Sequence, residues 1–139
     1  MSRTEAREKA FCLIFEYLFL KEKNELTLNE LFSSEDLSEE NKNYIAAVYN
    51  GVADNFDYLM KFISENAEGF SAERIYRVDM GILLLAAYEI FFMDEIPYKV
   101  SCNEAVELAK VFSTDKSPAY INGVLAGLIK EHAKENTNG

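Results

Sequence analysis

The chain has few of the residues that build metal or redox chemistry: two cysteines, Cys12 and Cys102, and one histidine, His132. Three such residues so far apart assemble no zinc set with metal-ligand spacing. Both cysteines fall inside apolar helical patterns, and a disulfide between them needs an oxidising compartment, so two reduced core thiols are expected. His132 lies near the C-terminal tail, where burial is not expected, which leaves no histidine for a catalytic triad. There is no Gly-rich phosphate loop, no H-E-x-x-H, and no Ser or Cys nucleophile in a recognisable setting. The carboxylates Glu5, Glu8, Glu39 and Glu40 read as solvated helix faces. No enzyme and no cofactor are expected.

Long apolar runs are missing too. The longest, Met80 to Met93, contains Glu89 and falls short of the ~20 residues a membrane span needs. The charged start, "MSRTEAREKAF", lacks the apolar core of a secretory signal, so the cytoplasm is the expected compartment. Bases are outnumbered by acids, 14 to 24, and the net charge of −10 opposes broad affinity for nucleic acid. A local basic patch remains open: Arg3, Arg7 and Lys9 gather at the start, while Asn24 to Asn41 is rich in acids and has no base.

Only two prolines and six glycines interrupt the chain, and the periodicity is helical throughout. Ala6, Ala10, Leu13, Ile14, Tyr17 and Leu18 form one stripe, entered through a capping box at Ser2–Glu5. A second box at Thr27–Glu30 opens a short helix. The run from Tyr44 to Ile63 reads as one helix or two broken near Asp54, and Glu68–Ser71 as a turn. The segment from Ala72 to Met93 reads as a short turn of helix leading into a nearly all-apolar one, hydrophobic all round in its middle, the mark of a central helix. Pro97 ends it, a third box at Ser101–Glu104 opens the next helix, and Ser117 with Pro118 opens the last. The expectation is a single all-α domain of six or seven helices over residues 1–133, with a polar flexible tail at 134–139.

Two surfaces stand out. Arg3 and Arg7 are i, i+4 neighbours, so both guanidiniums are placed on one face, either to straddle phosphates or to pair with Glu5 and Glu8. On the last helix Tyr120 stands beside Gly123 and Gly127. That bare strip suits close packing of the protein's own helices, or a nucleic-acid backbone lying flat while a base stacks on the ring.

The segments "RTEAREKA", "RVDMGILLLAAYEI" and "IPYKVSCNEAVELAKVFSTDKSPAYINGVL" together resemble the NusB family of transcription antitermination factors. The likeness covers nearly the whole chain and is strongest from Arg74 to Leu128. It implies two packed helical halves, no catalysis, and binding of boxA RNA from ribosomal RNA leaders together with the ribosomal protein NusE, within an antitermination complex on RNA polymerase. The positions it implies for RNA contact are Arg3 and Arg7, Asp79, and Tyr120, with Phe15 where some members carry tyrosine. Lys9 and Lys116 are added as neighbouring phosphate contacts. Met80, Leu84 and Ala119 stand where basic residues are common, which implies weak RNA binding without NusE. An alternative is an adaptor that binds NusE, or itself, and in which RNA binding has decayed. Monomers and dimers both occur in the family, which leaves a homodimer open.

Overall fold

Ser2 begins the fold as the sequence indicates: its hydroxyl accepts the Glu5 N–H at 3.1 Å and caps α1, Arg3–Leu20. The computed structural model describes residues 1–34, 36–67 and 74–138, except for the side chains of Ser34 and residues 134–138. The turn expected over Glu68–Ser71 lies outside the described residues. Helix α1 stops at Lys21, whose left-handed backbone (φ 65°) turns its N–H onto the Tyr17 carbonyl at 2.8 Å.

Helix α2, Glu25–Ser34, is entered from Asn24 rather than Thr27. The Asn24 side-chain oxygen accepts the N–H groups of Leu26 and Thr27 at 3.1 and 3.4 Å, while the Thr27 hydroxyl goes to Glu16 at 3.2 Å. Asparagine caps at least as well as threonine, and Asn24 is itself held by Tyr49, whose hydroxyl accepts its N–H at 2.8 Å. The run from Tyr44 to Ile63 resolves into two helices, α3 (Glu39–Asp54) and α4 (Phe56–Asn66), broken at Asn55.

Helix α5, Arg77–Phe92, is the centre, with twelve of its sixteen residues buried. It touches α1, α3 and α4 as well as α6 (Tyr98–Phe112) and α7 (Ser117–Asn138). Helix α1 packs on α3, and α7 packs on α4 and α6, so two helical groups meet along α5. The described residues contain seven α-helices and no strand. None of those helices is long and apolar enough to cross a membrane.

Four local expectations change. Pro97, with φ fixed near −60°, caps α6 so that the Ser101–Glu104 box lies a turn inside the helix. Ser101 is buried there, and its hydroxyl donates to Glu89 at 2.8 Å. Cys12 is exposed on α1, and Cys102 on α6 is partly covered and packs against the edge of the core. His132 is buried, because α7 continues to Asn138 and lays the imidazole edge-on to Phe91 at 4.9 Å and near Tyr98 at 5.9 Å.

Candidate nucleic-acid interface

Arg3 and Arg7 do not form a phosphate clamp, nor do they pair with Glu5 and Glu8. Arg7 is 3% exposed, and its guanidinium donates to the Glu89 carboxylate from Nε at 2.8 Å and from Nη2 at 3.3 Å. The same carboxylate accepts the hydroxyls of Ser101 and Tyr44. Burial opposes the charge on Arg7, but the hydrogen bond and charge of Glu89 outweigh it and hold the guanidinium firmly protonated. Arg3 lies 4.4 Å over the Tyr44 ring and donates to Asn41 at 2.9 Å, with Glu40 at 3.5 Å. This cluster joins α1, α3, α5 and α6, so its work is to register the two helical groups.

Tyr44 makes that cluster sensitive to alkali. Burial, with the neighbouring Glu89 charge and hydrogen bond, raises the pKa of its hydroxyl far above the ordinary value. The folded state therefore keeps a proton that the unfolded chain releases near pH ~10. The stabilisation is complete below that pH and is lost progressively as pH rises above it toward the raised folded-state value. Urea unfolding midpoints are expected to fall from pH ~10 upward. Tyr44→Phe, weaker at neutral pH, is expected to show a shallower alkaline decline. Parallel pH profiles of the two proteins check this.

A second region gathers what the sequence had scattered. The N-terminal end of α5 meets the α6–α7 corner, and the carboxylate of Asp79 ties them by accepting the hydroxyls of Ser113 at 2.5 Å and Ser117 at 3.1 Å. Asp79 is largely buried and forms part of the lining of a groove there. The groove, of about 350 Å³, is also lined by Arg74, Tyr76, Thr114, Lys116 and Tyr120 among others. Arg74 and Lys116 are exposed at its wall, and Tyr76 is 54% exposed. Tyr120 is half-buried; burial, then the charge of Asp79, raises the pKa of its hydroxyl, so the ring stays neutral.

Tyr120 also borders a wider groove of about 580 Å³ along α4 and α7, where Gly123 and Gly127 part company. A side chain at Gly127 would collide with Asn66, so that glycine serves packing between the protein's own helices. Nothing lies near a side chain built at Gly123, which leaves its backbone open.

Next to Tyr76, the Arg77 guanidinium lies 4.6 Å over the Phe19 ring. Phe19 stands edge-on to Phe15 at 5.0 Å, and Phe15 stacks on Phe11 at 5.9 Å. Arg77, the chain neighbour of Tyr76, thus covers the end of an aromatic run on α1 and lines a separate pocket with Leu18 and Lys21. Of the expected residues, Asp79, Lys116 and Tyr120 line the groove, and Phe15 belongs to the aromatic run on α1. Lys9 is half-buried on α1, and Arg3 and Arg7 stand toward that helix's other end, about 12 to 18 Å from Phe15 at 1.5 Å per residue. Met80 and Leu84 are buried in the core. Ala119 is exposed beside Tyr120. Sequence reasoning missed Arg74, Tyr76, Phe19 and Arg77, although "RIYR", a basic-aromatic cluster in an acidic chain, carried the signal.

These features define an all-α domain whose candidate site is a surface groove of rings and cations. The model of the family described as "NusB family" matches residues 4–130. The chain is 41% identical to the transcription antitermination protein NusB of Clostridium novyi, over 94% of this chain and 99% of that one. It is 36% identical to the protein of that name from Listeria welshimeri, over 94% and 98%. A solved structure of T. maritima NusB superposes with a TM-score of 0.84 at 30% identity, covering 100% of this chain and 99% of that one. The chain belongs to the NusB family.

Proposed function

We propose that the chain is a transcription antitermination factor that binds boxA-type single-stranded RNA of ribosomal RNA leaders together with NusE. The relatives' names supply the process. The observation that carries RNA recognition is the convergence of Tyr76, Tyr120, Arg74 and Lys116 on one groove. Unpaired bases stack on aromatic faces and their phosphates seek cations, whereas a duplex hides its bases. The protein acts in the cytoplasm, within the antitermination complex on RNA polymerase.

Few cations reach the groove, and the chain's charge is −10, so phosphate contacts are few. The isolated protein is expected to bind boxA RNA weakly, with shallow salt dependence, and NusE to tighten the complex. Gel-shift titration at several salt concentrations, with and without NusE, measures both. Tight, salt-steep binding without NusE would contradict this reading. The adaptor alternative draws on the burial of Arg7, which withdraws one of the two N-terminal arginines from RNA. A ternary complex indifferent to Tyr76 and Tyr120 would favour it.

A further inference from the structure

Lys21 and Arg77 meet at the second pocket, of about 320 Å³, beside the groove. Its walls are apolar: Leu18 from α1, Phe56 and Met60 from α4, Ile75, and Met80 from α5. Tyr17 backs Phe56, with ring centroids 5.6 Å apart. Ile75 lines the groove as well, so the two hollows share a wall. Tyr76 and Arg77 follow it in the chain and line the groove and the pocket respectively.

The Arg77 guanidinium is steadied by the Phe19 ring at 4.6 Å, and the backbone of Lys21 is set by its N–H bond to the Tyr17 carbonyl at 2.8 Å. Among the described residues neither cation has a carboxylate partner, nor do Arg74 and Lys116 on the groove, whereas Arg3, Arg7, Lys42 and Lys110 do. In a chain with 24 acids and 14 bases, four unpaired cations around two adjoining hollows mark a place for anions. An apolar pocket edged by cations suits a ligand with an apolar body and an anionic group, and it repels a basic protein. A nucleotide has both parts. Phosphates along a nucleic-acid strand lie about 3.4 Å apart, near the ~3.8 Å between the Cα atoms of consecutive residues such as Tyr76 and Arg77. A strand lying on Tyr76 therefore reaches Arg77 at about its next nucleotide.

We infer that this pocket is a further nucleotide subsite: one base, next to those held in the groove, turns out of the strand and seats against Leu18, Phe56 and Met60, with its phosphate on Arg77 and Lys21. The inference deepens the RNA reading and rests on it. Single-stranded RNA suits such a step, because an unpaired base is free to leave the stack. Tyr76 then stands between two bound bases, one in each hollow.

The test titrates the full chain at low salt, by fluorescence anisotropy, with single-stranded boxA RNA carrying its transcript flanks and trimmed one nucleotide at a time from either end. For the wild type, one trimming step at the edge of the groove-bound RNA is expected to weaken binding about fivefold or more, the worth of one seated base. An abasic nucleotide at that position is expected to reproduce the loss. Met60→Trp, which fills the pocket, is expected to abolish the step, and Lys21→Gln to shrink it; both should bind the trimmed RNA as the wild type does. Lys21→Gln is also expected to lower the salt slope for the untrimmed RNA by about 1. Circular dichroism melts screen Met60→Trp for misfolding, and Lys21→Gln, on an exposed side chain, carries the test if that variant unfolds. If the wild type shows no such step, or the step tolerates an abasic nucleotide or survives unchanged in the variants, the inference is overturned while the groove reading stands. If the wild type binds no boxA RNA, the groove reading fails and takes the inference with it.

Discussion

Arg7→Ala is expected to cost about 3–5 kcal/mol of folding stability, because it strands the fully buried Glu89 carboxylate without its charge partner. In a domain of this size that lowers Tm by more than ~10 °C. The same reasoning sets a second result. Arg7→Met with Glu89→Leu removes both charges and fills their space, so much of the loss is expected to return, since apolar replacement of a whole buried pair is often neutral or better. Ser101 and Tyr44 limit the recovery, because their hydroxyls lose an acceptor in the double variant. Urea unfolding of the three proteins decides it. A loss below ~1 kcal/mol for Arg7→Ala would mean that water reaches Glu89 and that the cluster does not fasten the two helical groups. RNA affinity measured well below the melting temperature of Arg7→Ala is expected to equal wild type. An RNA defect seen only near that temperature would report unfolding, not the removal of a phosphate ligand.

This cluster also marks where reading the sequence succeeds and stops. The helices are legible because periodicity and capping are local: the Ser2 cap, the nearly all-apolar α5 and the start of α7 at Ser117 follow from neighbours in the chain, while the break at Asn55 decides between one helix and two where the periodicity left both open. Ser101 and Arg7 are not legible, because their partner Glu89 lies 12 and 82 residues away and overrides a plausible local role for each. Thr27 yields to Asn24 for a similar reason, since Tyr49 holds Asn24 from α3. The candidate site is half legible. Tyr120 and Lys116 announce themselves beside a marked helix start, whereas Asp79, which the family resemblance points to, lines the groove while also tying α5 to the α6–α7 corner through Ser113 and Ser117, 34 and 38 residues away. Tyr76 and Arg74 gain meaning only when α5 is set against the α6–α7 corner.

The groove makes the second large prediction. Tyr76→Ala and Tyr120→Ala are each expected to weaken boxA RNA binding by ~1–3 kcal/mol, about 5- to 150-fold, the worth of one base stacked on an aromatic ring. Tyr76 is the more exposed ring, so its loss is expected to be the cleaner of the two in stability. Tyr120 is half-buried and packs against the core, so its replacement also costs stability and needs a melt beside every titration. Tyr120→Phe separates ring from hydroxyl: stacking survives, and affinity is expected to stay near wild type. Arg74→Gln and Lys116→Gln should act differently, weakening all RNA sequences alike and lowering the salt slope by about 1 each. Arg77→Gln is expected to combine the two, since its guanidinium is both a phosphate donor and the cover of the Phe19 ring. If the tyrosine pair can be removed while the ternary complex keeps its RNA affinity, bases do not stack in this groove and the adaptor reading takes precedence.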